Sequence, residues 1–332
     1  MPLPLVDQYR RPVTYLRISV TDRCNLRCQY CMPAEGVTLR PKPEILTYEE
    51  LLRLGRVFAS LGFVKFRITG GEPLVRHELV PFLADFARIE GVNELVMSTN
   101  GILLTRCAEG LCQAGVQRLN ISLDTLRRAT FELLQRRDEL GRTLEGIEAA
   151  RAQPFRRIKL NAVIIRGVND DETVDLARYA VERGMEIRFI EFMPTGLQRE
   201  WTHDRVVPVA EMQERLRAVW PDLAPIAGPE GSSGPSRVWG YAGGAGRVGF
   251  ISAVSETFCQ ACNRVRLTSD GHLRGCLFSD GQRSLREVMR SGGSDDDLRE
   301  VIRGVVWNKV ESHRIGKDDF APVELGMSEL GG

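Results

Sequence analysis

From Thr14 to about Phe192 the chain alternates short, β-branched apolar runs with longer stretches of helical periodicity. The spacing predicts strands over Tyr15–Val20, Lys65–Thr69, Glu94–Ser98, Arg118–Leu123, Lys159–Ile164 and Glu186–Phe192. Polar residues or glycines bound each run, as they do in buried parallel strands. Helices are predicted in between. Thr47 and Glu50 have the spacing of a capping box that opens a helix through Leu61. Asn169 or Asp170 is placed to cap a helix that runs to Arg183 and stops at Gly184.

Six successive β–α alternations imply a parallel sheet with right-handed crossovers. Six units fall short of a closed eight-stranded barrel, so an α/β fold built as a partial, (β/α)6 TIM-like barrel is expected. In such folds the reactive groups gather at the strand C-termini. The unusual residues fall there: a cysteine loop after the first strand, Gly70-Gly71-Glu72-Pro73 after the second, Ser98-Thr99-Asn100-Gly101 after the third, Ser122 and Asp124 at the fourth, and Met193-Pro194 after the sixth. After Pro221 the character changes. Residues 228–249 are dense in Gly, Ser and Pro and are expected to form a flexible connection. A second cysteine group and a charged helical tail follow, which suggests a first domain over 1–222 and a C-terminal domain over 223–332.

Hydrophobic residues make up 43% of the 332, enough for a large core. Lys plus Arg number 45 against 44 for Asp plus Glu, a net charge of +1. That balance argues against a generic nucleic-acid or membrane-surface binder. The N-terminus lacks the apolar core of a signal peptide, and no run approaches the ~18–20 apolar residues of a membrane span. A cytoplasmic location is expected, where grouped cysteines read as metal ligands before disulfides. Cys107 and Cys112, outside the groups, are expected to be buried and inert.

Cys24, Cys28 and Cys31 form C-x3-C-x2-C, with Tyr30 just before the third. One short loop can thus give three thiolates to one [4Fe–4S] cluster and leave one iron open for a ligand. Zinc is the alternative, but it wants four ligands, and no fourth Cys or His lies nearby in sequence. Cys259, Cys262 and Cys276 repeat the arithmetic as C-x2-C-x13-C. Here a zinc ribbon with His272 as fourth ligand is the competing reading. Arg17, Arg67, Lys159, Arg264 and Arg266 lie on candidate strands or beside the second group. A lone Arg is usually a solvated charge, but five in such places suggest a cationic pocket for a triphosphate. No P-loop motif is present.

The cysteine loop with Tyr30 resembles that of the radical S-adenosylmethionine (SAM) superfamily, and Gly70, Gly71 and Glu72 resemble its SAM-amino-group segment. The strings R-I-S-V-T-D-R-C-N-L-R-C-Q-Y-C-M-P, F-R-I-T-G-G-E-P and F-C-Q-A-C-N-R-V-R-L, with the terminal Gly331-Gly332, resemble the GTP 3′,8-cyclases of molybdenum-cofactor biosynthesis almost end to end. The resemblance implies two [4Fe–4S] clusters and SAM as cofactors. It implies SAM contacts at Tyr30, Gly70, Gly71, Glu72, Ser122 and Met193, and GTP contacts at Arg17, Arg67, Ser98, Lys159, Arg264, Val265 and Arg266. Ser98 stands where that family often has Thr, and the hydroxyl is kept. Arg17, Arg264 and Arg266 would anchor and stabilise charge, and Gly331 and Gly332 would reach into the active site, all five as catalytic residues.

The implied reaction uses a SAM-derived 5′-deoxyadenosyl radical to take the ribose 3′ hydrogen of GTP. The C3′ radical then joins guanine C8, and reduction by one electron with uptake of a proton gives (8S)-3′,8-cyclo-7,8-dihydroguanosine 5′-triphosphate, with the second cluster holding the purine. Implied partners are a flavodoxin- or ferredoxin-type electron donor, a downstream cyclic pyranopterin monophosphate synthase and a second copy as homodimer, with no nucleic acid and no membrane. Competing readings are a peptide-modifying radical SAM enzyme and a metal-binding sensor. The first would carry more C-terminal cysteines, and the second has little use for G-G-E-P at a strand end.

Overall fold

The computed structural model describes residues 2–195, 201–226, 235–241, 246–279, 281–315, 320 and 326–330. All six expected strands form, over Tyr15–Ser19, Lys65–Thr69, Glu94–Thr99, Arg118–Ser122, Arg157–Ile164 and Glu186–Glu191, and they pair in parallel in chain order. The capping box at Thr47 is intact: its side chain accepts from the Glu50 amide, and Glu50 returns the bond. The helix it opens spans Tyr48–Ser60. Asn169 behaves differently from the cap expected. Its side chain donates to the carbonyls of Asp124 (2.8 Å) and Val163 (2.9 Å) and so braces the ends of two strands.

Side chains along a strand alternate between the two faces of the sheet. One set, including Leu16, Ile18, Phe66, Ile68, Leu119 and Ile121, is buried with Phe58, Leu83 and Phe86 of the covering helices in one hydrophobic core. The other set, including Arg17, Arg67, Ser98, Asn120, Lys159 and Arg188, lines a cavity. The fold is therefore dry outside the curved sheet and polar within it.

The C-terminal part of the chain extends both edges of this sheet. Arg264–Leu267 lies parallel to the first strand, with Arg266 opposite Arg17. Arg247–Ile251 lies parallel to the sixth, with Val248 opposite Ile187. Antiparallel strands continue outward, His272–Arg274 and Gln282–Ser284 on one side, Arg237–Gly240 and Ala224–Pro225 on the other. The expected flexible connection over 228–249 is thus corrected at 237–240 and at 247–249, which are strand; residues 228–234 and 242–245 of it lie outside the described residues. Gly249 misled the reading, because a Cβ there would stand 2.3 Å from Ser236 Oγ. It marks close backbone approach within a sheet, not a linker.

The tail is helical as expected, over Leu285–Arg290 and Asp295–Trp307. The longer helix has its own capping box from Ser294 and Asp297, and Arg299 Nε donates to Ser60 Oγ of the Tyr48–Ser60 helix at 3.2 Å. Cys107 and Cys112, on the helix Leu104–Gln113, are half-buried and not fully buried as expected. Among the described residues no helix is long and apolar enough to cross a membrane.

Candidate active site

The loop after the first strand is held by the chain's own hydrogen bonds. The Arg27 amide donates to the Gln135 carbonyl (3.1 Å) and the Gln29 amide to that of Leu134 (2.8 Å), so the loop sits on the C-terminal end of the helix Arg128–Gln135. Arg136, in the left-handed region at φ 55°, donates to the Met32 carbonyl at 3.0 Å. The Cys31 and Met32 amides donate to the Cys28 carbonyl, closing a turn that brings the cysteines round one point. All three thiols are free and line the cavity. Burial pushes the Cys24 thiol up to about 11. Cys28 rises well above the usual range through burial and then through the charges of Cys31 and Cys24. Three thiols that oppose one another's ionisation suit a cationic group that takes all three as thiolates, and the set fits an iron–sulfur cluster.

Gly70 and Gly71 meet this loop from the second strand. The Gly71 amide donates to the Thr21 carbonyl (2.7 Å) and the Glu72 amide to that of Arg23 (2.8 Å). A Cβ on Gly70 would stand 2.7 Å from the Thr21 carbonyl oxygen. These glycines are needed first for backbone-on-backbone packing. Glu72, 1% exposed, accepts from the Asn100 amide (2.7 Å), Thr99 Oγ1 (2.8 Å) and the Leu74 amide (3.0 Å). It locks the second and third strand-end loops together. Burial raises its carboxyl to about 7, against these three donors.

Tyr30 donates to Asp124 Oδ2 at 2.6 Å. Asp124 also accepts from Gln135 Nε2 (2.6 Å) and the Val163 amide (2.8 Å), and Cys28 donates to Gln135. Burial lifts the Asp124 carboxyl to about 6. Ser122 and Met193 line the same end of the site.

The second triplet faces the same cavity, of about 320 Å³. Cys259 is pushed up by burial. Burial also raises Cys262, but the Lys309 and Arg264 cations more than offset it and bring the thiol to about 7. The same cavity is lined by Arg266, Arg17 and Arg67, in register across three adjacent strands. Arg67 donates to Ser98 Oγ at 3.0 Å, and Lys159 to Glu186 Oε1 at 2.8 Å. Arg264 lies over the Phe258 ring at 5.3 Å.

Of the sequence-predicted residues, Val265 departs. It is 0% exposed in the apolar core, so only its backbone could serve a substrate. Gly331 and Gly332 lie outside the described residues. His272 pairs with Asp270 at 3.1 Å and does not line the cavity. Lys65, Arg118 and Arg188 do line it and were missed. Lys65 and Arg118 share strand parity with Arg67 and Ser122, which were found, and that was the available signal; Arg188 has no such partner on its own strand.

The curved parallel sheet, with three free cysteines after its first strand and G-G-E-P packed against them, defines a radical SAM protein. Residues 18–180 match the model of the Radical SAM superfamily and residues 185–315 that of Molybdenum Cofactor Synthesis C. The chain is 47% identical over 331 residues to a GTP 3′,8-cyclase of Geobacter sulfurreducens, covering 99% of this chain and 100% of that one. It is 44% identical to a GTP 3′,8-cyclase of Rhodopirellula baltica, covering 100% of this chain and 93% of that one. It is also 42% identical over 309 residues to human molybdenum cofactor biosynthesis protein 1, covering 93% of this chain and 48% of that one. The chain belongs to the GTP 3′,8-cyclase family.

Solved structures share the fold. Streptococcus suis SuiB superposes with a TM-score of 0.60 at 14% identity, over 88% of this chain and 69% of that one. The protein anSMEcpe with bound AdoMet superposes at 0.58 and 14%, over 95% and 93%.

Proposed function

We propose that this chain cyclises GTP between ribose C3′ and guanine C8, giving (8S)-3′,8-cyclo-7,8-dihydroguanosine 5′-triphosphate, in the formation of molybdopterin. The observation that carries the reading is that both cysteine triplets open on one cavity, whose wall also carries a row of three arginines in register. A cavity shared by a radical source and a substrate anchor removes the need for the radical to travel.

Cys24, Cys28 and Cys31 would hold the first [4Fe–4S] cluster, which when bound supplies the electron that cleaves SAM. Tyr30, Gly70, Gly71, Glu72, Ser122 and Met193 would seat SAM. Most of their contribution is rigidity, since Glu72 and Asp124 already tie four strand-end loops together. Cys259, Cys262 and Cys276 would hold a second cluster whose open position suits a purine nitrogen. Arg17, Arg67, Arg264 and Arg266 present planar donors to phosphate oxygens, and Ser98 and Lys159 complete the wall. Fixing ribose and base together is a proximity effect, in which ~1 Å of misplacement costs ~100-fold in rate.

A flavodoxin- or ferredoxin-type donor, a cyclic pyranopterin monophosphate synthase acting next, a homodimeric state and a cytoplasmic location belong to the same reading. The test is anaerobic incubation with SAM, dithionite and GTP, followed by chromatographic separation of the nucleotides and mass analysis of their fragments. The hydrogen lost from C3′ is matched by the electron and proton gained on reduction, so the product is an isomer of GTP, and 5′-deoxyadenosine release without any new nucleotide overturns the reading. Iron should number about eight per reconstituted chain, two cubanes of four; about four would remove the second cluster.

A further inference from the structure

Two buried cations, neither lining the cavity, grip the second cysteine triplet from behind. Lys309 follows the helix Asp295–Trp307 and is 2% exposed. Its ammonium donates to the carbonyls of Arg264 (2.7 Å) and Gly275 (2.6 Å) and lies 3.7 Å from Cys262 Sγ. Those carbonyls sit two residues after Cys262 and one before Cys276. One ammonium therefore ties together the two segments that carry these cysteines.

Arg11, 6% exposed, holds the third. Its Nη1 donates to the Cys259 carbonyl at 2.8 Å and to that of Glu311 at 2.7 Å, and its Nη2 to that of Val310 at 2.7 Å. Asp7 pairs with its Nε at 2.6 Å. Gln8 Nε2 closes the ring by donating to the Lys309 carbonyl at 3.2 Å. The N-terminal turn, the segment after the last long helix and all three cysteines are thereby one unit.

The charges do not balance within the protein. Arg11 has Asp7, but among the described residues Lys309 has two carbonyls and a thiol and no carboxylate. A buried ammonium without a counter-charge is costly. Thiolates carrying a metal cluster supply that counter-charge. We infer that Arg11 and Lys309 are positioning residues for the second iron–sulfur cluster, holding its three ligands in place, and that Lys309 also offsets the cluster's negative charge. The inference rests on the reading that this triplet binds a cluster. Charge and hydrogen bonding around the sulfurs set cluster potential, and partners of metal ligands set metal retention.

The test uses the intact, anaerobically reconstituted chain and its Lys309→Met and Arg11→Lys variants. Iron per chain is followed during a chelator challenge, redox titration gives the cluster potentials, and 5′-deoxyadenosine release reports the first cluster. Lys309→Met should lose about four of about eight irons, about 10-fold faster than the parent. SAM cleavage should persist, and the potential of the second cluster should move to more negative values. Arg11→Lys, which keeps the charge but not the fork, should lose iron faster without that shift. Parental iron retention and potential in Lys309→Met overturn the inference. Loss of SAM cleavage together with iron also overturns it, by making Lys309 a general support of the fold. If the parent itself holds only about four irons, the second cluster falls, and this inference with it.

Discussion

A Cβ built on Gly71 would stand 2.3 Å from the carbonyl oxygen of Arg23. Backbone cannot yield there as a flexible side chain does, so Gly71→Ala must push the cysteine loop off the second strand. The expected cost is ~1–3 kcal/mol of stability, as for other overpacked sites. Iron should fall from about eight to about four per chain, with SAM cleavage lost. Wild-type iron and cleavage in this variant would show that the loop tolerates the methyl group.

Asp124 accepts from Tyr30, Gln135 and the Val163 amide, all at 2.6–2.8 Å. Asp124→Ala leaves three donors, one of them on the buried Gln135, without this acceptor and should cost ~3–5 kcal/mol, at ~1–3 kcal/mol for each partner left unsatisfied. Tyr30→Phe removes one bond and should cost ~1 kcal/mol. Thermal unfolding under anaerobic conditions checks the order; equal effects would mean that the network is not what holds these loops.

Arg266, Arg17 and Arg67 are side by side in register. Burial lowers the Arg17 guanidinium well below its ordinary value, and repulsion from Arg266 adds to it. Arg266→Met should therefore leave the ligand-free protein as stable or more so, while GTP affinity falls about 10–100-fold, the worth of one charge-assisted contact. Calorimetric titration with GTP and a melting curve decide it. Unchanged affinity would remove Arg266 from the pocket.

Burial lowers the Lys159 ammonium to about 7, with Arg188 adding to the fall and Glu186 opposing it. The unfolded chain keeps that proton to about 10.4, so stability from this group rises with pH between about 7 and 10. Triphosphate binding favours the charged form, so at pH ~8 GTP should bind with uptake of up to about one proton. Calorimetry in two buffers of different ionisation enthalpy measures the uptake, and Lys159→Met should abolish it. An uptake that survives in the variant would place the proton elsewhere.

On the proposed reading Cys276 belongs to the triplet that holds the substrate. Cys276→Ala should keep 5′-deoxyadenosine release and lose GTP turnover. Loss of SAM cleavage with GTP binding intact would contradict the separation of the two sites.

The six central strands were legible because each is a short apolar run closed by glycine or polar residues, and the structure moves their bounds by at most two residues. The first triplet was legible because one loop holds all three cysteines. What escaped depended on contacts far apart in sequence. Gly70 and Gly71 read as SAM contacts, and nothing local in the sequence shows that they also pack against Thr21 and Arg23. Arg188 is distinguished only by facing the cavity beside Lys159, through the shared Glu186. The strands Arg237–Gly240 and Arg247–Ile251 were hidden by glycine and serine counts that ignore where a sheet needs a missing side chain. Lys309 is a lone lysine after a helix, and nothing local marks it as buried.

Both outer neighbours of the six-strand core come from beyond residue 246, one on each side. During synthesis the earlier strands emerge with two bare rims of amide and carbonyl groups, open to any other nascent chain. The last quarter of the polypeptide therefore acts as a seal as well as a bearer of cysteines, and a ribosome that stalls before it releases a sticky product.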